Sequence, residues 1–220
     1  MMFFDIHTHH VPLVDGKNNQ VTVLNLFPKE LSQMETWDAT VYFSCGIHPW
    51  HIETDENEWR LLKTVLSNKR IVAVGEAGLD KFAAASMDIQ TAIFREQILL
   101  SETVKKPMII HNVRAWNKFF DLLEEVQPVQ PWILHGYRGK PELTERLLKQ
   151  GLYFSIGEHF NVESVKLIPL DKLFCETDES QVAIETVYNQ LAQVKEVEMK
   201  TLATQIQQNV KKVFALMMNR

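Results

Sequence analysis

The stretch PMIIHNVRAWNKFFDLL, residues 107–123, reads as a strand followed by a helix. The apolar run Pro107–His111 has the length of a buried strand. After it, Val113, Trp116, Phe120 and Leu123 recur at i, i+3, i+7 and i+10, one face of a helix. A second short apolar run, Trp132–His135, follows. Strand, helix and strand in that order imply parallel pairing through a right-handed crossover. Outward from this unit the alternation repeats. Phe3–His7, Val21–Phe27, Thr40–Gly46 and Ile71–Gly75 precede it, and Leu152–Ile156 and Lys172–Glu176 follow, which makes eight candidate strands. Ile89, Ile93, Leu100 and Val104 share a helical face that Gln97 interrupts, and a helical tail runs from about Gln181 to Met218 with a break near Val194. The expected architecture is α/β, a single (β/α)8 TIM-type barrel over residues 1–220. Its first crossover, Thr8–Gln20, carries Pro12, Asp15, Gly16, Asn18 and Asn19 and reads as turn, so it is truncated. An open doubly wound sheet is the alternative; the even spacing of the units favours closure.

Composition sets the class. A chain of 220 residues with 45% hydrophobic and 23% charged residues can bury a sizeable core without staples. The net charge of −5 excludes a broadly basic nucleic-acid surface, though not a local patch. Two cysteines, Cys45 and Cys175, make no disulfide framework and read as packing. The N-terminus Met1-Met2-Phe3-Phe4-Asp5 has no basic n-region, and no apolar run is long enough to span a bilayer. The expectation is a soluble cytoplasmic protein, monomeric or a weak homo-oligomer, without a membrane partner.

The chemistry falls at the ends of the strands. His7 and His9 sit at i and i+2 of the first run and share a face. Glu76 follows the fourth run, His111 and His135 end the fifth and sixth, and Asp178 follows the eighth. In a barrel these tips meet at the C-terminal face, where active sites form. Four histidines and two carboxylates buried there without partners would cost several kcal/mol. They are too many for one tetrahedral ion with an open position, and suit two ions about 3.5–4 Å apart that share a carboxylate and a water. The expected division is His7, His9 and Asp178 on one ion, His111 and His135 on the other, and Glu76 bridging. Imidazole donors favour Zn, Mn, Ni, Fe or Co over Mg.

At these residues the chain resembles the TatD family of metal-dependent hydrolases, within the amidohydrolase-like barrels. The resemblance runs nearly end to end: D-x-H-x-H at Asp5–His9, G-I-H-P at Gly46–Pro49, G-E-x-G-L-D at Gly75–Asp80, and Q-x-x-x-F-x-x-Q at Gln90, Phe94 and Gln97. It continues with I-I-H at Ile109–His111, H-x-x-x-G at His135–Gly139, E-T-D at Glu176–Asp178, and Asn209 with Phe214. It implies hydrolysis on one or two divalent metals, with members described as deoxyribonucleases. The chain departs from the family pattern at three places. Trp50, followed by His51, stands where a second histidine is usual; Gly136-Tyr137-Arg138 replaces a polar run; and Asp178-Glu179-Ser180 leads almost directly into helix.

Three functions are carried forward. The first is a phosphodiesterase or deoxyribonuclease working through a metal-bridging hydroxide, with phosphate-containing substrates and single-stranded DNA ends as partners. The second is an amidohydrolase or lactonase acting on a small carbon ester or amide, and the third a non-catalytic metal-binding relative. Asp178, Glu76 and His48 are the candidate catalytic residues, Asp178 as proton carrier and His48 as a substrate contact. Arg114, Arg138 and His51 are candidate substrate-binding residues, with Lys140 nearby. Trp50, Phe82 and Tyr137 are placed to stack a base or cover the pocket mouth, Asp5 and Glu176 to support the ligands, and Asp80 to cap a loop.

Overall fold

A computed structural model describes residues 1–10, 19–30, 34, 37, 40–52 and 56–214. Eight strands form one parallel sheet in sequence order: β1 Phe3–Thr8, β2 Gln20–Leu26, β3 Val41–Cys45, β4 Ile71–Asp80, β5 Met108–Val113, β6 Trp132–Leu134, β7 Tyr153–Ile156 and β8 Leu173–Cys175. The last strand returns to the first. Thr8 bridges Asp178 in parallel, the His9 N–H donates to the Asp178 carbonyl at 3.1 Å, and the Asp178 N–H donates to the His7 carbonyl at 3.0 Å. The sheet thereby closes into a (β/α)8 barrel, and the open doubly wound alternative is excluded. Every residue of β1 and β4 is buried, as strands covered on both faces must be.

Helices wrap the outside: α1 Glu56–Val65, α2 Met87–Val104, α3 Trp116–Val126, α4 Pro141–Lys149, α5 Val162–Leu167, α6 Ile184–Val194 and α7 Met199–Val213. Among the described residues the crossovers from β1 to β2 and from β2 to β3 hold no α-helix. Residues 11–18 of the first lie outside the described set, as do residues 215–220 of the tail. The tail breaks after Val194, where expected, but its helix begins at Ile184 rather than Gln181. None of these helices is long and apolar enough to cross a membrane. Cys45 and Cys175 are buried and unpaired.

Two helix faces differ from their sequence reading. In α2 the buried residues are Gln90, Phe94, Gln97, Ile98 and Ser101, while Ile89 is exposed. The amides decide the rotation. The Gln97 side chain accepts from the Ile47 N–H at 2.7 Å and donates to the Ile47 carbonyl at 3.0 Å. Gln90 likewise accepts from the Asp80 N–H at 2.7 Å and donates to the Asp80 carbonyl at 2.9 Å. A buried backbone pair left unmatched would cost about 1–3 kcal/mol per group, so each glutamine points inward. In α3 the buried side is Phe119, Phe120, Leu122 and Leu123, and Val113 belongs to β5 instead. The strands also differ at one place that matters. β4 continues five residues past Gly75, and so carries Glu76 and Asp80 on the sheet itself.

Candidate metal centre

The C-terminal strand ends converge on one carboxylate. Glu76 is 4% exposed, and its two oxygens face different groups. Oε2 lies 3.3 Å from His7 Nε2 and 3.2 Å from His9 Nε2, with Asp178 Oδ1 3.6 and 3.8 Å from the same two nitrogens. Oε1 lies 2.8 Å from His111 Nδ1, 2.7 Å from His135 Nε2 and 3.1 Å from His48 Nε2. All six residues expected to ligate metal are therefore gathered at one end of the barrel. His48, expected as a catalytic residue and substrate contact rather than as a ligand, joins them. Ligand atoms of His7, His9 and Glu76 lie within 4.8 Å of one another, as do those of His7, His135 and Asp178, and of His48, Glu76 and His111.

The donor chemistry fits divalent cations. Among the described residues neither ring nitrogen of fully buried His7 makes a well-aligned hydrogen bond, although Nε2 lies 3.3 Å from Glu76 Oε2. His111 Nδ1 and His135 Nε2 sit 3.2 Å apart while both face Glu76 Oε1. Imidazoles turned toward one another around a shared carboxylate leave lone pairs that a cation would satisfy.

Neighbouring groups hold this set in place. Asp80 accepts from His111 Nε2 at 2.9 Å, from the Trp50 indole N–H at 2.6 Å and from the Phe82 backbone N–H at 2.8 Å. It caps a loop as expected and also orients His111, a role the sequence reading missed. Glu176 lies 3.6 Å from His135 Nδ1 and accepts the Gly136 N–H. Asn25 Oδ1 accepts the Glu76 N–H at 2.7 Å. Asp5 accepts from the Thr177 N–H at 3.0 Å and the Thr177 hydroxyl at 2.7 Å, which fixes the residue before Asp178.

The remaining candidates scatter around the mouth. Arg114, Arg138 and Lys140 are exposed on the loops after β5 and β6. His51 packs its ring against Phe27 at 4.8 Å and lies 5.8 Å from the His48 ring, outside the Glu76 cluster. Trp50 and Phe82 are exposed. Tyr137 corrects its sequence reading: it is buried, its hydroxyl pairs with the Thr144 hydroxyl at 2.8 Å, and its ring packs on Phe154. It covers no pocket mouth, because its apolar ring finds a full partner beneath the loop.

Charge in the site is balanced by protons when metal is absent. Burial opposes ionisation of Glu76, yet His135, His111 and His48 hold its carboxyl well below the carboxylate range. Burial likewise opposes ionisation of Asp178, but His7 brings it down to about 2. Burial and His135 depress His7, and the Asp178 and Glu76 carboxylates more than offset them, raising it to about 9. Burial depresses His135 too, and Glu76 and Glu176 lift it well above the ordinary range. His48 is lowered, chiefly by burial. The raised His7 contributes stability to the metal-free protein below its ordinary value of 6.5, and loses it as pH rises through about 9. Metal binding needs that proton removed. Zinc-induced thermal stabilisation of stripped protein is thus expected to be small near pH 6 and to grow toward pH 9, where the stripped protein itself is weaker. Calorimetric unfolding at both pH values reads this; a zinc effect independent of pH would contradict the assignment.

The family profile described as TatD related DNase matches residues 14–215. An uncharacterized metal-dependent hydrolase from Buchnera aphidicola is 32% identical over 201 residues, covering 81% of this chain and 76% of its own length. A protein named Deoxyribonuclease Tat-D from Schizosaccharomyces pombe is 31% identical over 185 residues, covering 74% of this chain and 56% of its own. A crystal structure of a TatD homologue from Escherichia coli superposes with a TM-score of 0.83 at 20% identity, covering 97% of this chain and 98% of that one.

Proposed function

This chain belongs to the TatD-related DNase family of metal-dependent hydrolases, and on that premise we propose that it cleaves phosphodiester bonds, as a deoxyribonuclease acting at single-stranded DNA ends. The observation that carries the reading is the Glu76 carboxylate with each oxygen facing its own cluster of imidazole or carboxylate ligands. His7, His9 and Asp178 would hold one ion, His111 and His135 with His48 the other, and Glu76 would bridge. Divalent ions held by these residues would supply a water acidified toward neutrality and polarisation of a phosphoryl oxygen. The imidazole-rich set favours Zn, Mn, Ni, Fe or Co over Mg.

The protein's own groups divide the remaining work. Glu76 is closed off at 4% exposure, whereas Asp178 is 26% exposed. Asp178 is therefore the carboxylate within reach of a reacting group, and takes and returns the proton. His48 is kept neutral by burial, so it acts as a ligand or donor rather than as a cation. Arg114 and Arg138 on the mouth loops are suited to phosphate, and His51, on the loop after β3, is a further candidate contact.

The test uses metal-loaded protein on short single-stranded oligonucleotides and on bis-p-nitrophenyl phosphate. Cleavage is expected, and Asp178→Asn should lower turnover by about 10²–10⁴-fold. A second reading has one observation behind it. Only residues 179–183 separate Asp178 from α6, which leaves little loop to grip a polymer. Turnover of small lactones or amides with no action on phosphodiesters would replace the nuclease reading by an amidohydrolase one. Metal binding without turnover on either panel would leave a binding protein.

A further inference from the structure

We propose that Trp50 and Phe82, with the Arg114 guanidinium over the Phe82 ring, form a subsite that stacks a nucleobase beside the metal centre; the proposal rests on the phosphodiesterase reading and specifies how its substrate is gripped. Trp50 is 59% exposed and Phe82 60% exposed. Single exposed aromatics are ordinary on protein surfaces. These two are not independent, because both are fixed to one carboxylate. The Trp50 indole N–H donates to Asp80 Oδ2 at 2.6 Å, and the Phe82 backbone N–H donates to Asp80 Oδ1 at 2.8 Å. Asp80 Oδ2 also accepts from His111 Nε2 at 2.9 Å, and His111 Nδ1 lies 2.8 Å from Glu76 Oε1. The indole is thus three hydrogen bonds from the centre of the site.

A charged, hydrogen-bonded anchor immobilises the Trp50 ring before any ligand arrives, so little side-chain entropy remains to be lost on stacking. The ring nevertheless keeps most of its surface in water. Arg114 adds the complementary charge. Its backbone is left-handed at φ 52°, and its guanidinium carbon stands 5.3 Å from the centre of the Phe82 ring. An aromatic platform beside a cation recognises a planar base that carries a phosphate, which is a nucleotide. A sugar phosphate would meet the cation and the metals but leave the rings uncovered.

The experiment compares dAMP with 2-deoxyribose 5-phosphate on zinc-loaded protein by calorimetry and tryptophan fluorescence. The two ligands share the phosphate and differ in the base. We expect dAMP to bind about thirtyfold more tightly, the middle of the range for one stacked base, and to quench fluorescence. Trp50→Leu and Phe82→Leu should each shrink that preference, and Phe82→Leu should leave the sugar phosphate affinity unchanged. Trp50→Phe, which keeps one aromatic ring but loses the second ring and the N–H, should retain part of it. Phe82→Leu removes no hydrogen bond to Asp80, since Phe82 contributes only its backbone there, so it reads stacking even if Trp50→Leu disturbs His111. Equal affinity for the two ligands, or a preference for dAMP that survives in both leucine variants, would overturn the subsite. The nuclease reading fails separately: absent phosphodiester cleavage with an intact base preference leaves the subsite standing, whereas cleavage with no base preference removes the subsite alone.

Discussion

Glu76→Gln is expected to empty the metal centre and to reduce hydrolysis on the order of a thousandfold. The size follows from the geometry. Loss of the carboxylate charge removes the one group facing both ligand clusters, at 2.7–3.3 Å from His7, His9, His48, His111 and His135. Metal assistance to hydrolysis is worth several kcal/mol of transition-state stabilisation, and each 1.36 kcal/mol is tenfold in rate, hence roughly 10³. The variant should also change how the metal-free protein responds to acid. Glu76 is the leading cause that lifts His135 and one of those that lift His7. With a neutral amide there, both imidazoles lose protons at lower pH, and the burial of any remaining imidazolium becomes costly. Elemental analysis should find metal well below the wild-type content, and acid unfolding should begin at higher pH than in the wild type. Full metal content together with wild-type turnover in Glu76→Gln would contradict a central role for this carboxylate.

The parts of the site that were legible in the sequence are those fixed by strand ends. A histidine or acid at the tip of a parallel strand lies at one end of the barrel whatever the helices do, so His7, His9, His111 and His135 could be grouped from one dimension alone. The finer geometry depended on reach across the barrel. That Glu76 would present one oxygen to each cluster follows from closure and side-chain direction, which spacing does not contain. Asp80 was undervalued because the fourth strand reads in sequence as ending at Gly75; here β4 runs on to Asp80, and the sheet carries Asp80 up to His111. Gln97 looked like an interruption because hydrophobic periodicity counts a polar side chain as outward. Its amide bonds both backbone groups of Ile47, next to His48, so it is buried for the sake of the loop it holds. Tyr137 misled in the opposite sense: a loop position suggested exposure, while Thr144 and Phe154 beneath the loop supplied partners for both its hydroxyl and its ring.

Gly78→Ala should be the most damaging small substitution in the barrel. Gly78 pairs with His111 between β4 and β5, at φ +152°. A Cβ placed there would stand 1.9 Å from the His111 carbonyl oxygen, a backbone atom that cannot swing aside. Overlap and an unfavourable backbone region each cost about 1–3 kcal/mol, so a loss of about 4 kcal/mol is expected. For a chain of this size that corresponds to a fall in Tm of roughly 8–16 °C. Relief of the clash must push β5 away from β4. That displacement moves His111 from both Glu76 and Asp80, so metal affinity should fall together with stability. Gly151→Ala is the matched comparison. Its φ of +80° carries backbone strain, but a Cβ there meets nothing within 4 Å. It should cost only about 1 kcal/mol and spare metal binding. Thermal unfolding and zinc titration of the two variants separate close strand approach from backbone strain alone; a Gly78→Ala protein as stable as Gly151→Ala would show that β5 yields freely, and that the spacing of these strands does not hold His111 in register with the site.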